Sequence, residues 1–315
     1  MMQANPSISA PNVTLPHGVV PLTADDGWGL IHVHGDDAKQ FLHAQTTQDF
    51  MLLPQGQARF AAYCTPKGRM QASFVVVKVN DGYVLHCRRD IQDHLMKRLR
   101  MFVLRSKVVL EDGATQFAAY GVIGGEAATP WQVQVDADGR HCVALYPAVT
   151  AGGAVARSLC VQSIALPAPA GQPIAPTDWA LSEVLSGIAN VGMGTFEAFV
   201  PQMLNYESVD AIHFKKGCYP GQEVVARSQF RGAIKRRAYL LGGTGAAPAV
   251  GSEVMLITAN EESQAVGTVA AVANTAEGFL LLASLHNSAL EGGTLQVGDA
   301  VLQVYPLPYA LKEDI

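Results

Sequence analysis

Long apolar runs are missing from this 315-residue chain. None approaches the ~20 residues that cross a bilayer as a helix, so no membrane span is expected. Cysteine is scarce. The five stand at 64, 87, 142, 160 and 218, an odd number at irregular spacings with no Cys-x-x-Cys. That argues against a disulfide scaffold and a zinc site, and for a reducing, cytoplasmic setting. Residues Met1 to Pro21 hold no lysine or arginine and no apolar h-region. They read as a loose arm rather than a signal peptide or organellar presequence. No strand runs into a glycine-rich phosphate fingerprint, because Gly124-Gly125 is too short a signal. Charged residues make up only 16% of the chain against 49% hydrophobic, the balance of an ordinary globular protein with ample core. At this length two or three domains are expected.

What is present concentrates in one stretch, Phe214-Lys-Lys-Gly-Cys-Tyr-Pro-Gly-Gln-Glu-Val-Val-Ala-Arg227. Gly217 and Gly221 allow backbone angles that residues with a Cβ avoid, and Pro220 biases Tyr219 away from helix. Cys218 therefore belongs on a tight, non-helical turn. Lys215, Lys216 and Arg227 lie close in sequence, and nearby cations favour the thiolate, the reactive form. Two readings fit: a poised thiol on a rigid loop, or a small buried cysteine that fills space.

Charge adds a second signal. Phe214 to Arg237 carries seven basic residues and one acid, a local +6 on a chain of net −5, leaving −11 elsewhere. A basic island on an acidic protein suits an anionic ligand or partner, or else a solvated basic face. It lacks interleaved exposed aromatics, which argues against direct tRNA binding.

Hydrophobic patterning places the elements. Trp28–His34 reads as a strand with His32 and His34 on one face. No third ligand stands nearby in sequence, so they read as strand-surface histidines, and no metal site is expected. Asp36 or Asp37 would cap a helix running to Thr46. Arg59–Cys64 and Met70–Val79 read as strands around a Thr65-Pro66-Lys67-Gly68 turn, Gly82–His86 as a third, and Arg88–Val103 as a helix. Lys107–Leu110 and Gln116–Ile123 return as strands. This order predicts an α+β layer, not a doubly wound sheet. The segment 124–176 has short strands of no evident topology. Thr177 or Asp178 would cap a helix to Leu185. Evenly spaced β segments after Lys235 predict a small closed or nearly closed barrel.

Lys-Gly-Cys-Tyr-x-Gly-Gln-Glu resembles the signature of the YgfZ family, folate-binding proteins related to the T-protein (aminomethyltransferase) of glycine cleavage. Phe199-Val-Pro-Gln202, Asn205, Phe230-Arg-Gly-Ala233, Gln45-Thr-Thr-Gln-Asp49, Cys64-Thr-Pro-Lys-Gly-Arg69 and Pro306-Leu-Pro-Tyr309 also look like family segments. The resemblance implies a T-protein-like architecture of three modules around a central folate cavity. It divides the chain into an arm (1–21), a discontinuous cavity region (22–50 with 115–235), an α+β module (51–114) and a C-terminal barrel (236–315). It implies tetrahydrofolate or a one-carbon derivative as ligand, and a role in assembling or repairing iron–sulfur clusters, with an indirect effect on tRNA modification. Iron–sulfur proteins or their assembly machinery would be the partners.

On that reading Cys218 is the reactive thiol, with Lys215 and Lys216 holding the thiolate or an anionic ligand. Gln222 and Glu223 would orient the loop. Arg227 and Arg231 would meet the glutamate tail of folate, since guanidinium pairs bidentately with carboxylate. Asp49 is either a pterin contact, by the resemblance, or a simple turn aspartate. The relatives' Arg-x-Glu-x-Gly element aligns imperfectly with Ser182-Glu-Val-Leu-Ser-Gly187. Leu185 takes the glutamate slot, and Glu183 and Glu197 remain close in sequence. Two alternatives stand beside the main reading: a folate-dependent aminomethyl transferase, and a non-catalytic folate-sensing interaction protein.

Overall fold

A computed structural model describes residues 9–230 and 234–312 of the chain. The first strand, β1 (Gly18–Pro21), lies in the stretch expected to be a loose arm, yet it pairs antiparallel with residues 120–123. Residues 1–8 of that stretch lie outside the described residues. Its Val19 and Val20 are buried, and this apolar burial fixes the end of the segment.

Next come β2 (Trp28–His34), α1 (Ala38–Gln45), β3 (Arg59–Cys64), β4 (Met70–Val79), β5 (Gly82–Arg88), α2 (Arg89–Arg100) and β6 (Val109–Asp112). The strands form one antiparallel sheet in the order β3-β4-β5-β2-β6. Strand alternation divides β2 between two cores. Ile31 and Val33 pack with Ile91, Leu95 and Leu99 of α2, which recur every fourth residue along one helical face. Trp28 and Leu30 join a second, central core. His32 is not at the strand surface as expected: it is 1% exposed. β2 is hydrogen-bonded between β5 and β6 in this sheet.

The stretch with no evident topology resolves into a second sheet. β7 (Phe117–Ile123), β8 (Val133–Val135), β9 (His141–Ala144) and β12 (Arg157–Ser163) join β1 in the order β1-β7-β12-β9-β8, beside a hairpin of β10 (Ala148–Thr150) and β11 (Gly153–Val155). Cys142 and Cys160 are directly opposite in the β9–β12 register and form a disulfide. The expectation against a disulfide scaffold made no room for this single bridge. Spacing along the chain could not reveal a pair that only strand register brings together.

Helix α3 (Pro176–Leu185) starts earlier than expected. Ala175 holds the N-cap position, and Asp178 sits in the first turn, its carboxylate accepting the Ala175 amide at 3.0 Å. Trp179 of α3 lies flat against the second sheet where β7 has Gly121. A Cβ there would fall 2.4 Å from Trp179 Cε3, so only glycine admits the ring. After α4 (Gln222–Phe230) come β13 (Arg236–Thr244), β14 (Glu253–Ile257), β15 (Ser263–Thr275), β16 (Gly278–His286), β17 (Thr294–Val297), β18 (Ala300–Val301) and β19 (Gln303–Tyr305). They form the expected nearly closed barrel, in the order β18-β17-β14-β15-β16-β13-β19. The expected α+β class holds. One central core, with Leu30, Val75, Val161, Trp179, Leu240 and Leu282, draws on all three sheets. Asn205 stitches the barrel to it, its side-chain amide bonding both the carbonyl and the amide of Ala238. Among the described residues no helix is long and apolar enough to cross a membrane.

Candidate functional site

The cysteine loop is seated by hydrogen bonds from the α1 end of the chain. Thr47 Oγ1 donates to Ala211 O at 2.7 Å and accepts from Ala62 N at 2.9 Å, and Gln48 Nε2 donates to Asp210 O. His213 N donates to Thr47 O at 2.9 Å. The Gln45-Thr-Thr-Gln-Asp49 segment therefore anchors the residues leading into the loop.

Lys216 completes the anchor. It is 7% exposed, and its ammonium donates to Thr46 O at 2.7 Å and to His43 O, at the carboxyl end of α1 where carbonyls lack helical partners. It also lies 4.9 Å from the Tyr219 ring centroid. Burial lowers its pKa to about 8, with Asp49 opposing. Two of the three ammonium donors of Lys216, the residue expected to help hold the thiolate, thus go to carbonyls at the end of α1. Gln222 Nε2 donates to Lys216 O at 3.2 Å within the loop. Glu223 is exposed and pairs with Arg227 at 2.8 Å along α4. Lys215 and Cys218 are exposed. Arg231 lies outside the described residues.

Of the two loop glycines, only Gly221 uses a left-handed angle, φ +84. A Cβ on it would lie 2.4 Å from Thr65 O, so the loop docks backbone to backbone on the Thr65–Gly68 turn. Gly221→Ala is therefore expected to cost about 1–3 kcal/mol in strain. Gly217→Ala, whose Cβ would sit 3.6 Å from His43 Nε2, should stay within about 0.5 kcal/mol. Urea unfolding of the two variants checks the contrast, and equal losses would remove the special status of Gly221.

Behind the loop, Asp49 is buried and its carboxylate is 3.1 Å from His43 Nδ1 and 3.9 Å from His213 Nδ1. It also accepts Leu52 N at 3.0 Å. Burial pushes this carboxyl up, but the Leu52 amide and the two histidines outweigh it, and it rests below its ordinary value. His43 is lowered by burial and by Lys216. Sequence reasoning missed both histidines, which no spacing links to Cys218.

A separate cleft of about 360 Å³ lies between α3, β2 and the barrel, lined by Trp28, Arg88, Asp90, Trp179, Glu183 and Asn190 among others. An inner recess shares Trp28, Trp179, Glu183 and Asn190 and reaches His86, Trp131 and Arg157. All three tryptophans of the chain line this recess. Trp28 carries His86 stacked at 4.4 Å and the Arg88 guanidinium at 4.7 Å. Arg157 lies 4.5 Å over Trp179 and donates Nε to Ser182 Oγ at 2.8 Å.

Asn190 Nδ2 donates to Glu183 Oε1 at 3.2 Å. Burial lifts Glu183 to about 7, although Arg157 and Arg88 pull it back, and burial lowers Arg157 to about 10. Trp179 Nε1, Arg157 Nη2 and His86 Nε2 are buried without a hydrogen-bond partner. The recess itself holds only about 30 Å³, so a flat heteroaromatic ligand fits in the outer cleft, against Trp28 and Trp179 and with Glu183 and Asn190 at its inner edge. The rarity of tryptophan was the one sequence signal that could have located it. Glu197, the other nearby acid, is instead bonded by Gln71 Nε2 at 2.6 Å.

The basic island does not form one surface. Lys216 is anchored inward, Arg237 is buried against Glu207, and Arg227, Lys235 and Arg236 line a further cleft of about 460 Å³ with His286. That cleft shares no lining residue with the tryptophan cleft. None of Asp49, Lys215, Gln222, Glu223 and Arg227 lines the tryptophan cleft.

No family model matches the chain. A protein named tRNA-modifying protein YgfZ from Photobacterium profundum is 30% identical, with 91% of each chain covered. One of the same name from Sodalis glossinidius is 29% identical over 96% of this chain and 98% of its own. Among solved structures, the glycine cleavage system aminomethyltransferase T from Bartonella henselae covers 96% of this chain and 88% of its own, with a TM-score of 0.62 at 12% identity. That likeness establishes a shared fold, and the expected T-protein-like architecture is borne out.

Proposed function

The chain belongs to the YgfZ family, and on that premise we propose that it is a folate-binding protein supporting iron–sulfur cluster assembly or repair, with an indirect effect on tRNA modification. The observation that carries the folate reading is the cleft where Trp28 and Trp179 stand beside Glu183, with Arg157 and the third tryptophan in the small recess behind it. A pterin ring stacks on an indole face. Its ring N–H and amino donors meet the Glu183 carboxylate, and its carbonyl meets the idle Arg157 donor. Asn190 orients Glu183. This moves the ligand from the cysteine loop, where the sequence put it, to the tryptophan cleft. The exposed Cys218 then acts outside the pocket, in thiol exchange or transient contact with a client's cluster. One cysteine does not supply the four thiolates of an ordinary cluster, so a client completes the ligand set.

The transferase alternative has less support. Leu185, in the glutamate slot, is fully buried, and the Asp49 carboxylate is engaged by His43 and Leu52.

Titration of tetrahydrofolate against tryptophan fluorescence tests the folate reading. Saturable quenching is expected, and its absence would overturn the assignment. The pH dependence follows from Glu183. Its carboxyl sits at about 7 before ligand arrives, and the ionised form is the acceptor. Affinity should therefore fall as pH drops from 8 to 6, by up to about tenfold per pH unit once the group is protonated. Glu183→Gln should flatten this profile and weaken binding at pH 8 by about 1.5–3 kcal/mol, the worth of a hydrogen bond to a charged group. A variant that keeps the wild-type pH slope would sink the role of Glu183.

A further inference from the structure

We propose that His32, His34 and Glu111 form a binding site for a divalent first-row metal ion, with Asp81 at its edge. The three offer ligand atoms within 4.8 Å of one another. Sequence alone showed two histidines and no third ligand. The fold supplies it, because β6 pairs with β2 and sets Glu111 directly opposite His32. His34 Nε2 lies 3.5 Å from Glu111 Oε2, and His32 Nε2 lies 3.4 Å from Asp81 Oδ1 in the β4–β5 turn. The imidazoles stack at 4.6 Å, and Phe117 closes one side with its ring 5.0 Å from His32.

The feature that asks for a ligand is His32. It is 1% exposed, yet Nδ1 has no hydrogen-bond partner and Nε2 has only the 3.4 Å approach of Asp81 Oδ1, outside hydrogen-bond geometry. A buried polar group without a partner is costly and uncommon. A cation held by Nε2 satisfies that nitrogen. Two imidazoles and a carboxylate are a donor set that suits zinc and its neighbours better than magnesium or calcium. Three protein ligands leave a coordination position, which water or Asp81 can take. The half-buried His34 and the exposed side of Glu111 give the ion a way in. The inference is independent of the folate reading, since none of these residues lines the tryptophan cleft.

The test uses the full chain carrying Cys218→Ser, so that the exposed thiol captures no metal. Zn(II) is titrated by calorimetry, and Co(II) is followed by its visible ligand-field bands. One equivalent is expected, with a Co(II) spectrum typical of nitrogen and oxygen ligands and a rise in melting temperature with Zn(II). His34→Ala and Glu111→Ala should each weaken binding at least about tenfold, since loss even of an outer-shell partner costs 10–100-fold. Both side chains reach solvent, so both variants should fold, and their unliganded melting temperatures check this. His32→Gln is a second variant that should abolish binding. Absence of stoichiometric binding overturns the proposal. So does equal affinity in the parent and His34→Ala, which would place the metal elsewhere, for instance at His43 and His213.

Discussion

Arg237→Ala should destabilise the protein by about 3–5 kcal/mol, the cost of stripping one partner from a buried ion pair. Arg237 Nη1 meets Glu207 Oε1 at 2.5 Å, with side chains 8% and 1% exposed. The guanidinium also donates Nη2 to Lys312 O at 2.8 Å, and Ser208 Oγ donates to the same Glu207 oxygen. The pair thus joins the first barrel strand, the turn that leads toward the cysteine loop, and the C-terminal segment. Without Arg237 the Glu207 carboxylate stays buried, with only Ser208 for company. A loss of this size is a large share of the ~5–15 kcal/mol that holds a typical domain together. Changing both residues, Arg237→Met with Glu207→Leu, should recover most of it, because a buried pair and apolar groups of similar volume are often nearly equivalent. Urea unfolding of both single variants and the double variant measures this. A loss below about 1 kcal/mol for Arg237→Ala would show that the carboxylate escapes to water, where pairs are worth little. High salt should change little, since screening acts weakly on a pair that water does not reach.

This pair also marks what a linear reading of charge leaves out. Counting placed Arg237 in a basic island with Lys215, Lys216 and Arg227. Its partner lies thirty residues upstream, and only the tertiary fold turns the side chain inward. Lys216 is similar, because its carbonyl partners are on α1, about 170 residues away. Elements whose signal is local were legible. β2 and β4 begin and end where alternation and β-branched residues place them, and the buried face of α2 follows its fourfold spacing. The cysteine turn was legible as well, since Gly221 and Pro220 act through backbone geometry alone. Features that need two distant segments were not. The Cys142–Cys160 bridge depends on strand register, the union of His32 and His34 with Glu111 on strand pairing, and the tryptophan recess on three sheets meeting at α3.

Cys218→Ser is expected to abolish function in the cell while leaving fold and folate affinity intact. The argument starts from the other four cysteines. Cys142 and Cys160 are paired. Cys64 and Cys87 are buried, and burial pushes both thiols up to about 12, so neither offers thiolate at neutral pH. Cys218 alone is free and exposed. The loop around it is held from both ends, by the Lys216 anchor on one side and by Gly221 docked on the Thr65–Gly68 turn on the other. Such a frame presents a thiol in a fixed place without burying it, which is wasteful for a space filler and useful for a reactive group. Alkylation of the native protein at neutral pH should therefore label one thiol, and the serine variant should show none. Because the side chain packs against little, unfolding free energy should change by less than about 0.5 kcal/mol. Folate quenching should be unchanged, since Cys218 lines neither part of the tryptophan cleft. Activity of iron–sulfur enzymes in cells lacking the wild-type chain should then fail to recover with the variant and recover with the parent. Full recovery would make the thiol dispensable. Loss of folding together with loss of function would make it structural, and the exposed loop would need another explanation.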